Sequence, residues 1–377
     1  MKKLTLPFRV RKPILACGAD LKGAFALAKG YKTYLFEGFG DLSDLDNFTR
    51  YEKAIHAAGK KLNIRPKIIV CDLHPDYFST QFAKSYTQYA VRTTLYEIQH
   101  HEAHIASAII DNDIKGEVLG SAFDGTGYGT DGNIWGSEFF TGKIGSLKRI
   151  AHLEYVPMPG GEMCVKEPWR MAASYLYSVF GGRFLKLKIN FVKEIDKRKW
   201  VVLKDMIDKK INSPLASSMG RFFDAAGSII LNKRLASFEA ELPIELERIA
   251  DASIDDSYNS ANSAEVIKGV VRDIENRRAV SVVSAKFHNS IADMIVRMAK
   301  KAKIKQIVLS GGVFQNIYLV NRVVKLLNKN NFKVYTHSNV ETNDSGIPLG
   351  QIAIANFLIP KSYSLNPKMA NARRVCA

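Results

Sequence analysis

Cysteine is scarce in this chain, and its spacing carries no pattern. Cys17, Cys71, Cys164 and Cys376 form no CxxC or zinc-knuckle arrangement among 377 residues. That suggests neither a disulfide framework nor a thiolate metal site, and leaves reduced thiols as the default. No apolar run approaches the roughly 20 residues that a membrane-spanning helix needs. The opening MKKLTLPFRV has a basic flank without the apolar stretch of a secretory signal, so a cytoplasmic location is expected. There is no GxSxG elbow and no paired Cys–His arrangement, hence no evident covalent nucleophile. Acidic residues are also in deficit, 37 Asp and Glu against 54 Lys and Arg, for a formal charge of +17. Such a field favours anionic partners. Much of it lies in runs such as 186–210 that read as solvated faces, so it does not choose between nucleotides, phosphates, an acidic protein and nucleic acid.

What is present is an ample apolar fraction, 46%, over a length that favours two domains. Three short strands are expected first (ILACG, LKGAFALA, and KTYLF after a turn at Lys29–Gly30), then a helix over Ser43–Leu62, strand IIVCDLH, helix STQFAKSY, strand TTLYEI and a helix from Glu102 to Ile110. This βββαβαβα order then begins again with GEVLGSAFD, WGSEFFTG and KRIAHLEYV. After a long helical section it closes with IKQIVLS, a helix over Val313–Leu327, FKVYTH and a helix over Ile347–Phe357. The expected fold class is α/β, a duplicated actin-like ATPase arrangement of RNase H-like domains with a nucleotide cleft between them. The expected units are 1–112, 113–357 with a helical insertion at about 181–278, and an irregular tail over 358–377.

Three of the eight histidines fall in Gln99-His100-His101-Glu102-Ala103-His104. His100 and His104, four apart, face one way on a helical turn and can chelate one cation; capping histidines at a solvated helix start are the plain alternative. His101 points elsewhere and is as readily structural. Asp124, in Phe123-Asp124-Gly125-Thr126-Gly127-Tyr128-Gly129, stands where an apolar strand enters a glycine loop, so the carboxylate can bind a metal while Gly125, Thr126 and Gly127 present amides to phosphate. A hairpin turn is the bland reading. Asp344, in Thr342-Asn343-Asp344-Ser345-Gly346, can join the same site or cap the next helix. Two histidines and two carboxylates suit Fe(II), Mn(II) or Zn(II) without choosing among them.

Ser310-Gly311-Gly312 joins a strand to a helix, where small residues admit a ligand and the helix start favours an anion. Asn316 contacts the nucleotide or caps locally. Asp224, in SSMGRFFDAAG, is a candidate for a ribose hydroxyl, against the ordinary alternative of an Arg221–Asp224 pair on a solvated face. Lys166 and Arg170, in KEPWR, either clamp an anionic substrate or are surface cations.

In order along residues 13–353, ILACGADLKGAF, VCDLHPDYFST, QHHEAHIASA, AFDGTGYGTDGNIWGSEFF, KEPWRMA, SSMGRFFDAAG, LSGGVFQN and NDSGIPLGQ resemble the C-terminal transferase region of the HypF hydrogenase-maturation carbamoyltransferases. The resemblance implies transfer of a carbamoyl group from carbamoyl-adenylate, made from ATP and carbamoyl phosphate, to the C-terminal cysteine of a HypE-type acceptor. It also implies an iron or related cation on His100, His104, Asp124 and Asp344, with the glycine loops holding AMP. Full HypF proteins carry acylphosphatase, zinc-finger and YrdC-like adenylating domains ahead of this region, so the adenylate is expected from a separate or removed YrdC-like domain. The alternatives are a tRNA threonylcarbamoyl transferase, which the charge favours and the DGTGYG and EPWR loops disfavour, and a non-enzymatic ATP-binding scaffold. Three departures stand out: Phe39 for a usual histidine, Phe238-Glu239-Ala240-Glu241 for a YEGQ-like motif, and NDSG for NDGG, which matters if Ser345 needs positive φ. Arg374-Val375-Cys376-Ala377 loosely resembles the HypE acceptor terminus, most simply by coincidence.

Overall fold

The computed structural model describes residues 1–89, 92–260 and 262–359. The tail from residue 360 onward, Cys376 included, lies outside the described residues.

The first sheet has the order β2-β1-β3-β4, built from β1 (Lys2–Ala16), β2 (Phe25–Phe36), β3 (Ile68–Asp72) and β4 (Thr94–Ile98). β1 pairs antiparallel with β2 and parallel with β3, and β3 pairs parallel with β4. Two long strands therefore replace the expected three short ones. The Lys29–Gly30 step does not end a strand: Gly30, at φ +64°, sits inside β2 opposite Val10, where the register shifts. Glycine takes that left-handed conformation without a Cβ clash, so the ribbon bends instead of breaking. α1 (Leu45–Lys61), capped by Asp44, and α2 (Phe78–Tyr89) cover the outer face over Leu15, Phe25, Leu27, Tyr51, Ile55 and Phe82. α3 (His100–Asp111) begins two residues before the expected start, with Gln99 as its cap.

The second sheet runs β11-β10-β5-β6-β9-β8, with β7 on β6. It comprises β5 (Val118–Tyr128), β6 (Ile134–Gly142), β7 (Lys148–Ala151), β8 (Val156–Pro157), β9 (Leu215–Ala216), β10 (Gln306–Ser310) and β11 (Lys333–Tyr335). Between β8 and β10 lie α4 (Met163–Lys166), α5 (Trp169–Phe180), α6 (Asn190–Lys193), α7 (Lys197–Asp208), α8 (Met219–Leu231), α9 (Glu241–Ile249), α10 (Ser263–Glu275) and α11 (Val280–Ala302). The helical section thus starts before residue 181 and runs beyond 278. α12 (Ile317–Lys329) and α13 (Ile347–Leu358) are the last helices among the described residues, the expected helix from Val313 being a short 3-10 turn followed by α12.

The two central helices cross over between the halves. α3 packs on β5 and β10 of the second sheet, whereas α13 packs on β1, β2 and β3 of the first, and the two helices pack on each other. They approach closely because Gly350 has no side chain: a Cβ there would lie 1.8 Å from the Ala103 carbonyl oxygen. The Gln351 amide bridges to the main chain of Gly18. Residues from both sides of position 112 meet in the core, where Val10, Ile14, Ile105, Ile109, Val308 and Ile352 share one buried cluster.

Candidate functional site

Four local features converge where α3 starts. The Gln99 side chain accepts the Glu102 N–H at 2.9 Å, fixing the first helical turn, so His100 and His104 present Nε2 side by side one turn apart. On β5, the five residues from Phe123 to Gly127 span what the three residues from Trp135 to Ser137 span on β6. The strand continues through the expected loop as a bulge, and the bulge turns Asp124 inward. Gly312, which opens the 3-10 turn after β10, donates its N–H to Asp124 Oδ1 at 3.0 Å, leaving Oδ2 free to face the histidines. Asp344 begins a short 3-10 turn capped by the Asn343 side chain, which leads into α13. Ser345 lies in that turn and is not among the described positive-φ residues, so the NDSG departure imposes no backbone strain.

Asp124 Oδ2 lies 3.2 Å from His100 Nε2 and 3.3 Å from His104 Nε2. Asp344 Oδ1 lies 3.6 and 3.4 Å from the same two nitrogens. All four residues are buried, and one ligand atom from each falls within 4.8 Å of the others, so together they can hold a metal ion. Burial works against both carboxylates. Hydrogen bonds and charge from His100 and His104 nevertheless hold Asp124 well below the ordinary carboxylate range, and the same rings keep Asp344 low against burial and the like charge of Asp124. Burial likewise opposes a charged imidazole, yet Asp72, Asp344 and Asp124 hold His100 well above its usual value, and Asp124 and Asp344 raise His104. Two buried carboxylates aimed at one point need positive charge, from protons on the rings or from a cation in their place. The donor set fits a divalent cation.

Asp72, which sequence reasoning passed over, lies behind His100. Its Oδ2 is 2.7 Å from His100 Nδ1, and its Oδ1 accepts the His74 N–H. A carboxylate behind one imidazole nitrogen directs the other toward a ligand. The available signal was its place at the C-terminal end of a buried parallel strand. His101 is different in kind: Gln99 Nε2 lies 3.2 Å from its Nδ1, its buried Nε2 has no hydrogen-bond partner among the described residues, and burial keeps it neutral. It packs on Gly127, whose hypothetical Cβ would sit 2.5 Å from the ring.

A cavity of about 380 Å3 opens from this cluster into the cleft, walled by Asp124, Gly125, Thr126, Gly220, Arg221, Gly312, Asn316 and Asp344, with Leu21, Lys22, Glu239, Ala240 and Ile244 also lining it. Asn316 both lines it and caps α12, accepting the Leu319 N–H at 2.8 Å. Other expected site residues lie off this wall. Gly127 packs behind it, and Gly311, at φ +105°, abuts the Phe123 backbone. Ser310 is fully buried between His104 and His337. Asp224 faces Arg221 at 2.7 Å; the pair is buried, not solvated, and burial raises the carboxyl to about 6. Lys166 ends α4, and Arg170 is bound to Glu167 and to the Pro159 carbonyl, so neither reaches the cavity.

Two sheets from a repeated strand–helix order, with a cavity between them, define the actin-like ATPase class of fold. The comparisons are more specific. Residues 9–111 match the HypF Kae1-like domain, and residues 120–351 match the second subdomain of the carbamoyltransferase Kae1-like domain. Carbamoyltransferase HypF of Synechocystis is 33% identical over 93% of this chain and 48% of its own length. A carbamoyltransferase HypF homolog of Cupriavidus necator is 30% identical over 94% of both chains. The crystal structure of full-length HypF in a phosphate- and nucleotide-bound form superposes with a TM-score of 0.88 at 35% identity, over 96% of this chain and 58% of that one. The chain belongs to the HypF carbamoyltransferase family, and it spans about half the length of most curated relatives it matches. A tRNA N6-adenosine threonylcarbamoyltransferase of Ehrlichia canis is 23% identical over 44% of the chain.

Proposed function

We propose that this chain transfers a carbamoyl group from carbamoyl-adenylate to the C-terminal cysteine thiol of a HypE-type acceptor, in the synthesis of the cyanide ligands of nickel–iron hydrogenase. The observation that carries this reading is the opening of the buried His100–His104–Asp124–Asp344 cluster directly into the interlobe cavity. A cavity of about 380 Å3 is within the size range of small-molecule sites. Gly125, Thr126 and Gly312 offer close backbone approach to a phosphate, Asn316 sits beside them, and Leu21 and Ile244 give an apolar wall for a base. Lys22 is the cation on that wall whose partner, Glu239, is half exposed and exchangeable. Asp224 acts through Arg221, and Lys166 and Arg170 serve an anion only outside this cavity. In the transfer, the C–S bond forms, the carbamoyl C–O bond to phosphate breaks, and AMP and a proton leave. A divalent cation on the four ligands, iron(II) by family resemblance with zinc or manganese as alternatives, would supply polarisation of the carbamoyl oxygen.

The test is the mass shift of an acceptor bearing a C-terminal cysteine, with carbamoyl phosphate and ATP, with an added YrdC-like adenylating domain, and without enzyme. Carbamoylation only in the second supports the reading. Efficient reaction in the first would show that the chain also activates, and none in any would move the function to the alternatives. A threonylcarbamoyl transfer to tRNA is favoured by the +17 charge and the Ehrlichia relative, and a nucleotide-binding scaffold would show adenylate binding without transfer.

A further inference from the structure

The two histidines of the cluster are held from behind by different means. His100 has Asp72. His104 has a neutral chain leading away from the cavity: its Nδ1 lies 3.4 Å from Ser310 Oγ, and Ser310 Oγ lies 2.8 Å from His337 Nε2. Among the described residues His337 Nδ1 has no hydrogen-bond partner, and it faces Asp111 Oδ2 at 3.6 Å, with both side chains buried. Asp111, the last residue of α3, also accepts the main-chain N–H groups of Ser338 and Asn339, and Asn112 donates to the Thr336 carbonyl. His337 is thus clasped to the far end of the helix that carries His100 and His104.

A hydroxyl between two imidazole nitrogens can be ordered in two ways. In one, His104 Nδ1–H donates to Ser310, and the Ser310 hydroxyl donates to His337 Nε2. That leaves His104 Nε2 a lone pair aimed at Asp124 and Asp344, which a cation requires. In the other order every donor is reversed, and His104 Nε2 carries a hydrogen instead. The buried Asp111 charge beside His337 Nδ1 favours a proton on that nitrogen, which makes His337 Nε2 an acceptor and selects the first order. We infer that Ser310, His337 and Asp111 form a relay that sets the tautomer and orientation of His104, and so act as positioning residues for the metal ligand set, with no contact to substrate.

The inference rests on the reading of the four residues as a cation site, and the experiment separates the two. Co(II) is titrated into the full chain and followed by its visible ligand-field bands, with the melting temperature of each cation-free protein measured in parallel. Ser310→Ala and His337→Leu are expected to weaken Co(II) binding about 10- to 100-fold, the usual cost of losing such a support. His337→Gln, whose amide oxygen can still accept from Ser310, is expected to retain affinity within about 3-fold, and Asp111→Asn to fall between. Should the leucine variant fail to fold, Ser310→Ala, which removes one buried oxygen, carries the test. Unchanged Co(II) affinity in a stably folded Ser310→Ala protein would overturn the relay alone. Absence of Co(II) binding by the parent would overturn the cation site and the relay with it.

Discussion

The floor and the rim of the interlobe cavity are built on opposite principles. At the floor all four ligand residues are buried, and three of them are aimed by a second group: Asp124 by the Gly312 amide, His100 by Asp72, His104 by Ser310. At the rim, Lys22 and Glu239 meet at 3.3 Å with 42% and 48% of their side chains exposed, beside Leu21 and Ile244. An exposed pair of this kind contributes about 0–1 kcal/mol and yields readily to salt or to a ligand. The floor is therefore preorganised and intolerant, and the rim is adaptable. Chemistry should depend steeply on the first and weakly on the second.

The sharpest way to break that contrast is at the floor. Replacing His100 and His104 together with alanine removes two of the four donors, and stoichiometric divalent-metal binding is expected to disappear. Metal analysis of the purified double variant decides the matter. Retention of one ion per chain would return the cluster to a structural role and erase the distinction between floor and rim.

Behind the floor, His288 supports Asn316, and it supplies a pH signature. Its Nδ1 meets the Ser284 carbonyl at 2.8 Å and its Nε2 meets the Asn316 amide at 2.9 Å, while burial lowers its pKa from 6.5 to about 4. The unfolded chain binds this proton at higher pH than the folded one. The stabilisation is therefore complete above the unfolded value and is lost as pH falls from about 6.5 to about 4, by about 3 kcal/mol at 1.36 kcal/mol per unit. Asp224, raised to about 6, has the opposite sign over about pH 4–6, since its buried carboxyl favours the folded state when protonated. The His288 share is thus the difference between parent and His288→Gln. The parent's urea midpoint should fall more steeply between pH 7 and 4.5 than the variant's, and parallel curves would contradict the assignment.

How much of this was legible beforehand follows from the kind of signal each residue leaves. The spacing of His100 and His104 is a helical period, visible without coordinates. Asp124 and Asp344 stand at junctions between an apolar segment and small residues. Asp72 left only a strand end. The surroundings of Ser310 and Asp224 were not legible because position along the chain does not report which way a side chain turns: Ser310 points back into the core toward His104, and the Arg221–Asp224 pair, an alternative expected on a solvated face, lies on a helix buried on nearly every side. The duplicated order of elements was readable. The crossing of α3 and α13 onto opposite sheets was not, since it depends on contacts more than 200 residues apart, such as Ser107 with Gly346.

Gly312→Val tests how tightly the floor is packed. A Cβ at this position would lie 2.9 Å from Asp124 Oδ1, so a branched side chain must displace the carboxylate that the Gly312 amide now holds. Overpacking of this kind costs about 1–3 kcal/mol, equivalent to a weakening of roughly 10- to 100-fold if expressed in binding. Calorimetry should show metal and AMP affinity falling together. Loss of AMP binding alone would mean that Gly312 serves the nucleotide without bearing on Asp124.

The smallest effect is expected at the rim, where Ala240 adopts φ +62° and ψ +19° as it leads into α9. This is the third position of Phe238-Glu239-Ala240-Glu241, where the family's YEGQ-like motif has glycine, and the backbone explains the usual choice. A left-handed conformation costs a residue bearing a Cβ about 1–2 kcal/mol, and glycine avoids that cost. Glycine also loses more chain entropy on folding, about 0.4–1 kcal/mol, so Ala240→Gly should stabilise by a net amount of roughly 0.5–1 kcal/mol. The denaturant midpoint should rise while its slope stays constant, and Co(II) affinity should not move, because Ala240 is not one of the four ligands. A large change in Co(II) affinity would show that strain at the rim is transmitted to the floor, and the two regions would then have to be treated as one mechanical unit.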